Sequence, residues 1–331
     1  MGRTKGEKAV KRAEKRAELE RKKAISEANK MLIPTPKQTA ESMGILSFDP
    51  SGAFCLTKNR WVKVYEITGI TSEDSDLFAL VIGELRGRVK IVARLTREAT
   101  EKVYLTVMEE GEIYDAVRKV MNMDQEALSK VFRLKPLTVD EIMMAVIGDG
   151  RKPFSYASMV RGKKNWKEEC FKKMKEKADS FCIEDMYGES IVFMQYPSNL
   201  SINPFHSLKD IGCEMYISLD IRGISLKQSV TQALEQRYNR RISAETNTDY
   251  ANCSIGISFI CDSDDARAII EKTVISLCSN LGFALASSYG AQEKAYESIV
   301  SLGLSDYCIM RNVDMEVASK LMMYGGGAWQ E

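Results

Sequence analysis

An α+β fold is predicted for this 331-residue chain: two α/β lobes with mixed, mostly antiparallel sheets covered by helices, preceded by a basic N-terminal helix. Three observations carry the prediction. Cys213, Met215, Ile217, Leu219 and Ile221 alternate with polar residues, as do Cys253, Ile255, Ile257 and Phe259; a period of two is what a half-buried strand needs. Apolar residues at helical spacing follow each run: Leu226, Val230, Ala233, Leu234 and Tyr238, then Ala266, Ile269, Ile270, Val274 and Leu277. Residues 5–30 are mostly Ala, Glu, Lys and Arg, a helix-forming composition.

The chain divides into a basic helical tail (1–32), a linker (33–42), a first lobe (43–135), connecting helices and strands (136–210) and a second lobe (211–331). Residues 1–30 hold eleven Lys/Arg and five Glu, a local +6 in a chain whose total is +1, so the remainder carries about −5. One helix about 40 Å long would place Lys8, Lys11, Arg12, Lys15 and Arg16 on neighbouring faces. Two readings stay open for it: a solvated tail, or an electrostatic contact with anionic lipid or nucleic acid.

In the first lobe, Gly44–Asp49, Phe54–Thr57 and Trp61–Ile67 read as strands joined by hairpin turns at Pro50-Ser51-Gly52 and Lys58-Asn59-Arg60. Ser75–Arg86 reads as a helix with Leu77, Leu80, Val81 and Leu85 on one side. Lys90–Leu95 and Val103–Glu109 return as strands, and 112–131 is helical. Thr138-Val139-Asp140-Glu141 is a capping box, in which hydroxyl and carboxylate each satisfy an open helix-end amide. A basic helix is expected over 163–178. Lys163, Lys164, Lys167 and Lys173 lie on one face, and Trp166, Cys170, Phe171 and Met174 on the other. A solvated face on a docked amphipathic helix explains these lysines; phosphate binding is the alternative.

Ser190–Gln195 reads as a strand. In the second lobe, Ser225 with Gln228 is another capping box, and Asp262 or Ser263 caps the 266–277 helix, which Gly282 stops. Phe283–Ala286 is the next strand, followed by a helix opening at Gln292, a strand at Asp306–Met310 and a helix at Glu316–Leu321. Helices covering one face of the sheet are the expected arrangement.

Several chemistries have no sequence to support them. No Gly-x-x-x-x-Gly-Lys-(Ser/Thr) occurs, so there is no P-loop. His206 is the sole histidine and reads as a surface or capping residue. Asp262-Ser263-Asp264-Asp265 is too short for a calcium loop and suits helix capping. No metal ligands, cofactor site or catalytic residues are assigned. The eight cysteines include no Cys-x-x-Cys, which fits buried, reduced thiols in a cytoplasmic protein. No run of about 18 apolar residues is present, so any membrane association is expected to be peripheral.

Residues near the end carry a resemblance. Gln292-Glu293-Lys294-Ala295-Tyr296, then Val300-Ser301-Leu302-Gly303, a strand and a closing helix before Gly325-Gly326-Gly327 resemble the end of the N-terminal domain of the conjugation ATPases of type IV secretion systems. Upstream, Met43-Gly44-Ile45 to Tyr65-Glu66-Ile67 resembles that family's opening hairpin. Leu137–Glu141 resembles a helix start, and Ser190–Gln195 with Tyr196-Pro197-Ser198 a later strand. The first lobe is shorter than usual, and 225–262 is more compact.

The resemblance implies a domain that contacts an inner-membrane subunit and stands ahead of a motor. Walker A and Walker B are missing, so ATP hydrolysis is not carried over. The expectation is a non-catalytic assembly component on the cytoplasmic face of the membrane. Its expected partners are the inner-membrane secretion subunit, a separately encoded conjugation ATPase or motor domain, and anionic lipid. Alternatives are a nucleic-acid-binding accessory protein of a mobile element, or the severed front half of a split ATPase gene.

Overall fold

A computed structural model describes residues 5–34, 44–49, 51–97, 101–147, 174–201, 204–224, 250–305 and 307–325. The fold is α+β, with a large antiparallel sheet. In chain order the elements are α1 (Lys5–Ala28), β1 (Ile33–Pro34), β2 (Ile45–Asp49), β3 (Ala53–Leu56), β4 (Arg60–Ile70), α2 (Ser75–Glu84), β5 (Arg88–Leu95), β6 (Glu101–Glu110), α3 (Tyr114–Leu128), β7 (Phe132–Pro136) and α4 (Val139–Ile147). Then come β8 (Met174–Glu176), β9 (Phe181–Ile183), β10 (Met186–Gln195), a 3-10 turn (His206–Ile211), β11 (Glu214–Ile224), β12 (Tyr250–Cys261), α5 (Asp264–Asn280), β13 (Ala284–Ser287), α6 (Gln292–Val300), β14 (Arg311–Asp314) and α7 (Met315–Gly325).

The fourteen described strands belong to one sheet, whose main path runs β1-β2-β3-β4-β6-β5-β11-β12-β10-β9-β8. Within it the chain repeats one topology. Strands β4 to β7 lie in the spatial order β7-β4-β6-β5, and β10 to β13 in the order β13-β10-β12-β11. Each is a split βαβ unit of four strands. Antiparallel pairing of β5 with β11, from Met215↔Leu95 to Ile221↔Val89, fuses the two.

Both faces of this sheet are covered, not one. The first face presents Trp61, Tyr65, Ile91, Leu105, Leu219, Ile255 and Phe259 to α2, α3, α5 and α7. On the opposite face, Val62, Val64, Tyr104 and Met108 meet Ile142, Met143 and Val146 of α4, and Tyr216 and Ile260 meet Tyr296 and Ile299 of α6. The alternation in β11 and β12 is therefore not that of half-buried strands: Ser218, Asp220, Ser254 and Ser258 are buried as well. Their hydroxyls and carboxylate face neighbouring protein groups instead of water.

The local signals place most of the elements. Thr138 and Glu141 form the reciprocal cap, with Thr138 N donating to Glu141 Oε2 at 2.8 Å and Glu141 N to Thr138 Oγ1 at 3.4 Å. Ser263 Oγ accepts from Ala266 N at 3.1 Å at the start of α5. Four details differ from the sequence reading. The buried face of α2 is Phe78, Val81 and Ile82, while Leu80 is exposed; residues 77–82 are all apolar, so periodicity cannot choose the face. Ile269 is 65% exposed on α5; the buried residues at helical spacing are Arg267, Ile270, Val274 and Cys278.

The other two differences concern strands. Met174–Glu176 is a strand paired with β9, not the end of a helix; Lys177 N donates to Ser180 O at 2.8 Å and closes the hairpin. Residues 307–310 are irregular, and the strand is Arg311–Asp314, paired with β12. In the irregular stretch, side-chain hydroxyls take the backbone amides: Tyr307 N donates to Ser298 Oγ at 2.9 Å and Ile309 N to Ser254 Oγ at 3.2 Å. The predicted 225–238 helix with its capping box lies outside the described residues.

Candidate functional site

The motif residues near the end of the chain form a clasp. Gln292 is buried at the start of α6. Its Oε1 accepts from Ser190 N at 2.7 Å, and its Nε2 donates to Ser190 O at 3.2 Å and Ser287 Oγ at 2.9 Å. One side chain thus satisfies both backbone groups of a central-strand residue. Ala295 is buried against the sheet, and the Tyr296 ring sits 5.0 Å from Phe181 and 6.4 Å from Tyr216. Beyond α6 the chain crosses to the first unit, where Thr106 Oγ1 donates to Leu302 O at 2.9 Å. Gly303 has φ of +87°, and a Cβ there would lie 3.1 Å from Thr106 Cγ2, so both its backbone and the close approach favour glycine.

A buried charge cluster lies where the units join. Lys90 and Asp220 are direct partners across β5 and β11, 1% and 2% exposed. Lys90 Nζ is 3.3 Å from Asp220 Oδ2, and Arg88 Nη2 is 2.7 Å from Asp220 Oδ1. Arg88 also donates to Cys308 Sγ at 3.1 Å, tying the 307–310 stretch to the seam.

Arg88 also lines a cleft of about 260 Å³ with Arg60, Arg222, Glu109 and Glu110. Burial pushes the Glu109 carboxyl up, and Arg222 opposes it. Behind the cleft, Asp124 accepts from Arg86 N and Gly87 N, both at 2.9 Å, and burial raises it too. Arginine keeps its proton, so the three guanidiniums offer charge recognition. Elsewhere Glu189 is buried, with Oε2 2.7 Å from Arg267 Nη1. Burial and the nearby Glu271 push its carboxyl up to about 7, against the pull of Ser287 and Arg267.

A second hollow, of about 370 Å³, lies at the head of α3. Glu109, Glu110 and Glu112 rim it, and Ile113, Ala116 and Val120 contribute apolar surface. The basic helix α1 is fastened beside it. Asn29 Nδ2 donates to Glu112 O at 2.8 Å, Asn29 Oδ1 accepts from Tyr114 N at 2.9 Å, and Arg21 reaches Glu112 at 2.6 Å.

The predicted contact residues Lys11, Arg12, Lys15 and Arg16 are exposed on α1. Lys8 is in the same helix, its side chain outside the described residues, and Lys163, Lys164, Lys167 and Lys173 lie outside them entirely. The helix gathers the first group along one rod but encloses no site with them. Sequence reasoning missed the arginine cleft and the Lys90–Asp220 pair. The available signal was charge at positions 88, 90 and 220 inside strand patterns, where charges are costly unless paired. Among the described residues no cluster of three metal-ligating side chains occurs, and no helix is long and apolar enough to cross a membrane.

None of the described cysteines is in a disulfide. Burial raises the thiols of Cys55 to about 11 and of Cys213 and Cys278 to about 12, which leaves them protonated and unreactive at neutral pH.

No protein-family model matches the chain, and no curated protein is similar to it. Among solved structures, the crystal structure of aclacinomycin oxidoreductase is similar with a TM-score of 0.31 and 10% identity, over 68% of this chain and 42% of that one. A likeness of that size carries no argument about chemistry, and this chain spans less than half of that protein.

Proposed function

We propose that this chain is a non-catalytic docking component of a conjugative type IV secretion apparatus. It would work at the cytoplasmic face of the membrane, between an inner-membrane subunit and a separately encoded motor ATPase. The observation that supports the reading most is the clasp. Of the residues that carry much of the resemblance, Gln292, Ala295 and Tyr296 dock α6 on the second unit, and Gly303 packs the following turn against Thr106 of the first. A similarity concentrated in scaffold positions suits a part whose task is to present surfaces. The exposed cations Lys11, Arg12, Lys15 and Arg16 suit contact with anionic lipid, weakened by salt.

The test is co-purification of the full chain with the inner-membrane subunit and the motor ATPase of the same conjugative system. Retention of both partners is the expected result. Loss of both, or ATP hydrolysis by the purified chain alone, would overturn the reading. Flotation with anionic and neutral vesicles tests the lipid contact; equal binding to both would remove it.

A further inference from the structure

We infer that Cys213 and Cys261 form a redox modification site, a cross-strand pair that closes to a disulfide by exchange with a small-molecule disulfide such as oxidised glutathione. The inference is independent of the secretion reading. The β11–β12 ladder runs from Ile224↔Tyr250 to Glu214↔Ile260, and its next step sets Cys213 opposite Cys261. Both side chains belong to the core on the first face of the sheet, in line with Met215, Ile217, Ile257 and Phe259. The pair is also of the close kind. Ile255 N donates to Tyr196 Oη at 2.9 Å, just past the end of β10, so the backbone of Ile255 turns away from β11. Alternation carries the same orientation to Ile257, Phe259 and Cys261. Opposed residues that exchange no backbone hydrogen bonds stand about 4.5 Å apart at Cα, inside the roughly 4.4–6.8 Å that a disulfide spans.

Cys182 and Cys253 do not compete. Tyr187 lies between Cys182 of β9 and Cys261 of β12, so Cys182 is two strands from Cys261, about 9–10 Å and out of disulfide reach. Cys253 lies towards the other end of β12. The pair sits at the rim of the sheet, where β12 turns into α5 at Ser263 and the exposed Arg97–Asp262 bridge lies alongside. The two thiols have different parts. Cys261 is the entry thiol: burial and Asp262 push it up, against the Ser263 backbone, Arg267 and Arg97. Its thiolate attacks one sulfur of the small disulfide, and the other sulfur leaves as a thiolate that takes up a proton. Cys213 is pushed up to about 12 by burial, Cys261 and Glu214, against its own backbone and Arg97. It is therefore inert to outside oxidants, but it is held against the mixed disulfide. It loses its proton, attacks the Cys261 sulfur and expels the second small thiol. Two protein thiols are oxidised and one small disulfide is reduced to two thiols. The bond would staple the entry to β11, where Gly212 ends the 3-10 turn, to the β12–α5 corner. In a reducing compartment the pair rests as the dithiol.

The full chain, incubated with oxidised glutathione at about pH 8 without denaturant and mapped as non-reduced peptides, tests the pair. The expected product is one intramolecular link, Cys213 to Cys261, in a chain lighter by two hydrogens. Its formation should quicken about tenfold per pH unit near neutrality, as the thiolate fraction rises, and dithiothreitol should reverse it. Cys213→Ser should stop the reaction at a Cys261–glutathione adduct, and Cys261→Ser should leave Cys213 unmodified. If the serine variant at 213 does not fold, Cys213→Ala replaces it, and the map of the parent chain decides in either case. Thiols that all stay unmodified would overturn the proposal. So would a glutathione adduct on the parent chain that never resolves, or a link that joins other cysteines.

Discussion

The two split βαβ units share a strand order but are glued differently. Behind β4, β5 and β6 the cover is oil: Ile142, Met143 and Val146 of α4 against Val62, Val64, Val92 and Met108. Behind β10, β11 and β12 a smaller apolar patch of Tyr216, Ile260, Tyr296 and Ile299 is joined by hydrogen bonds: Ser190 Oγ to Ser258 Oγ at 2.6 Å, Gln292 to the Ser190 backbone, and Ser254 to Ile309 N. Their first helices differ too. The first unit has α2, whereas among the described residues the second has only the 3-10 turn at His206–Ile211, and α7 from far along the chain packs beside α2 over the β5–β11 junction. Apolar cover tolerates small shifts, because dispersion and burial have little direction. The polar cover is directional, so the second unit depends on individual residues.

The junction between the units should be the most sensitive place. Lys90→Ala leaves Asp220 with Arg88 alone, and Asp220→Ala strands two cations, one of them deeply buried. A loss of about 3–5 kcal/mol is expected for breaking such a pair from one side, read as a lower urea midpoint. If only one unit's transition moves, the seam is not what couples them.

The second contrast sets Ile142→Ala against Gln292→Leu. The first removes buried methylenes and should cost about 2–5 kcal/mol; the second orphans the Ser190 amide, while the Ser190 carbonyl keeps the Ser288 amide as its donor, and should cost about 1–3 kcal/mol. Hydrogen exchange should separate them, with Gln292→Leu releasing the β10 amides and Ile142→Ala those of β4 and β6. Equal spread of both would erase the distinction between the units. Gly223→Ala sharpens the same point at the junction. A Cβ there would lie 2.2 Å from Ile82 O, and moving α2 to make room should cost about 1–3 kcal/mol.

A smaller effect is expected from Glu189, with a definite sign. Unfolded, it releases its proton near the ordinary value of 4.5; folded, it holds the proton to about 7. Between those values the folded chain binds the extra proton, so its contribution is full below about 4.5 and is lost as pH rises through about 7. Urea midpoints at about pH 5 and about pH 8 should therefore differ less in Glu189→Gln than in the parent chain. At the bottom of the scale, Arg97→Ala removes an exposed pair with Asp262 and should change stability by no more than about 1 kcal/mol.

The elements were mostly legible because helix and strand periods are local. The strand patterns at 213–221 and 253–259, the Thr138–Glu141 box and the Ser263 cap all depend on residues close in sequence. Pairings such as Lys90 with Asp220 join positions 130 residues apart, and nothing in either stretch announces the other. The serines on β11 and β12 were misleading for a physical reason. A hydroxyl facing water and one facing a buried Ser190 or a backbone amide look the same in a one-dimensional pattern. The repeat was hidden in the same way, since a ten-residue helix in one unit corresponds to a 3-10 turn in the other. The basic tail could be read as a rod, but its fastening by Asn29 could not.

The late position of the clasp and α7 has a consequence in time. During synthesis the first unit can gather its four strands once residue 136 has emerged, and β5 then waits with an open edge. β11 can reach that edge later, but the helix beside α2 over the junction lies between Met315 and Gly325. Until those residues leave the ribosome, the nascent chain carries a joined but uncovered sheet, and a chaperone would find its longest-lived apolar surface there.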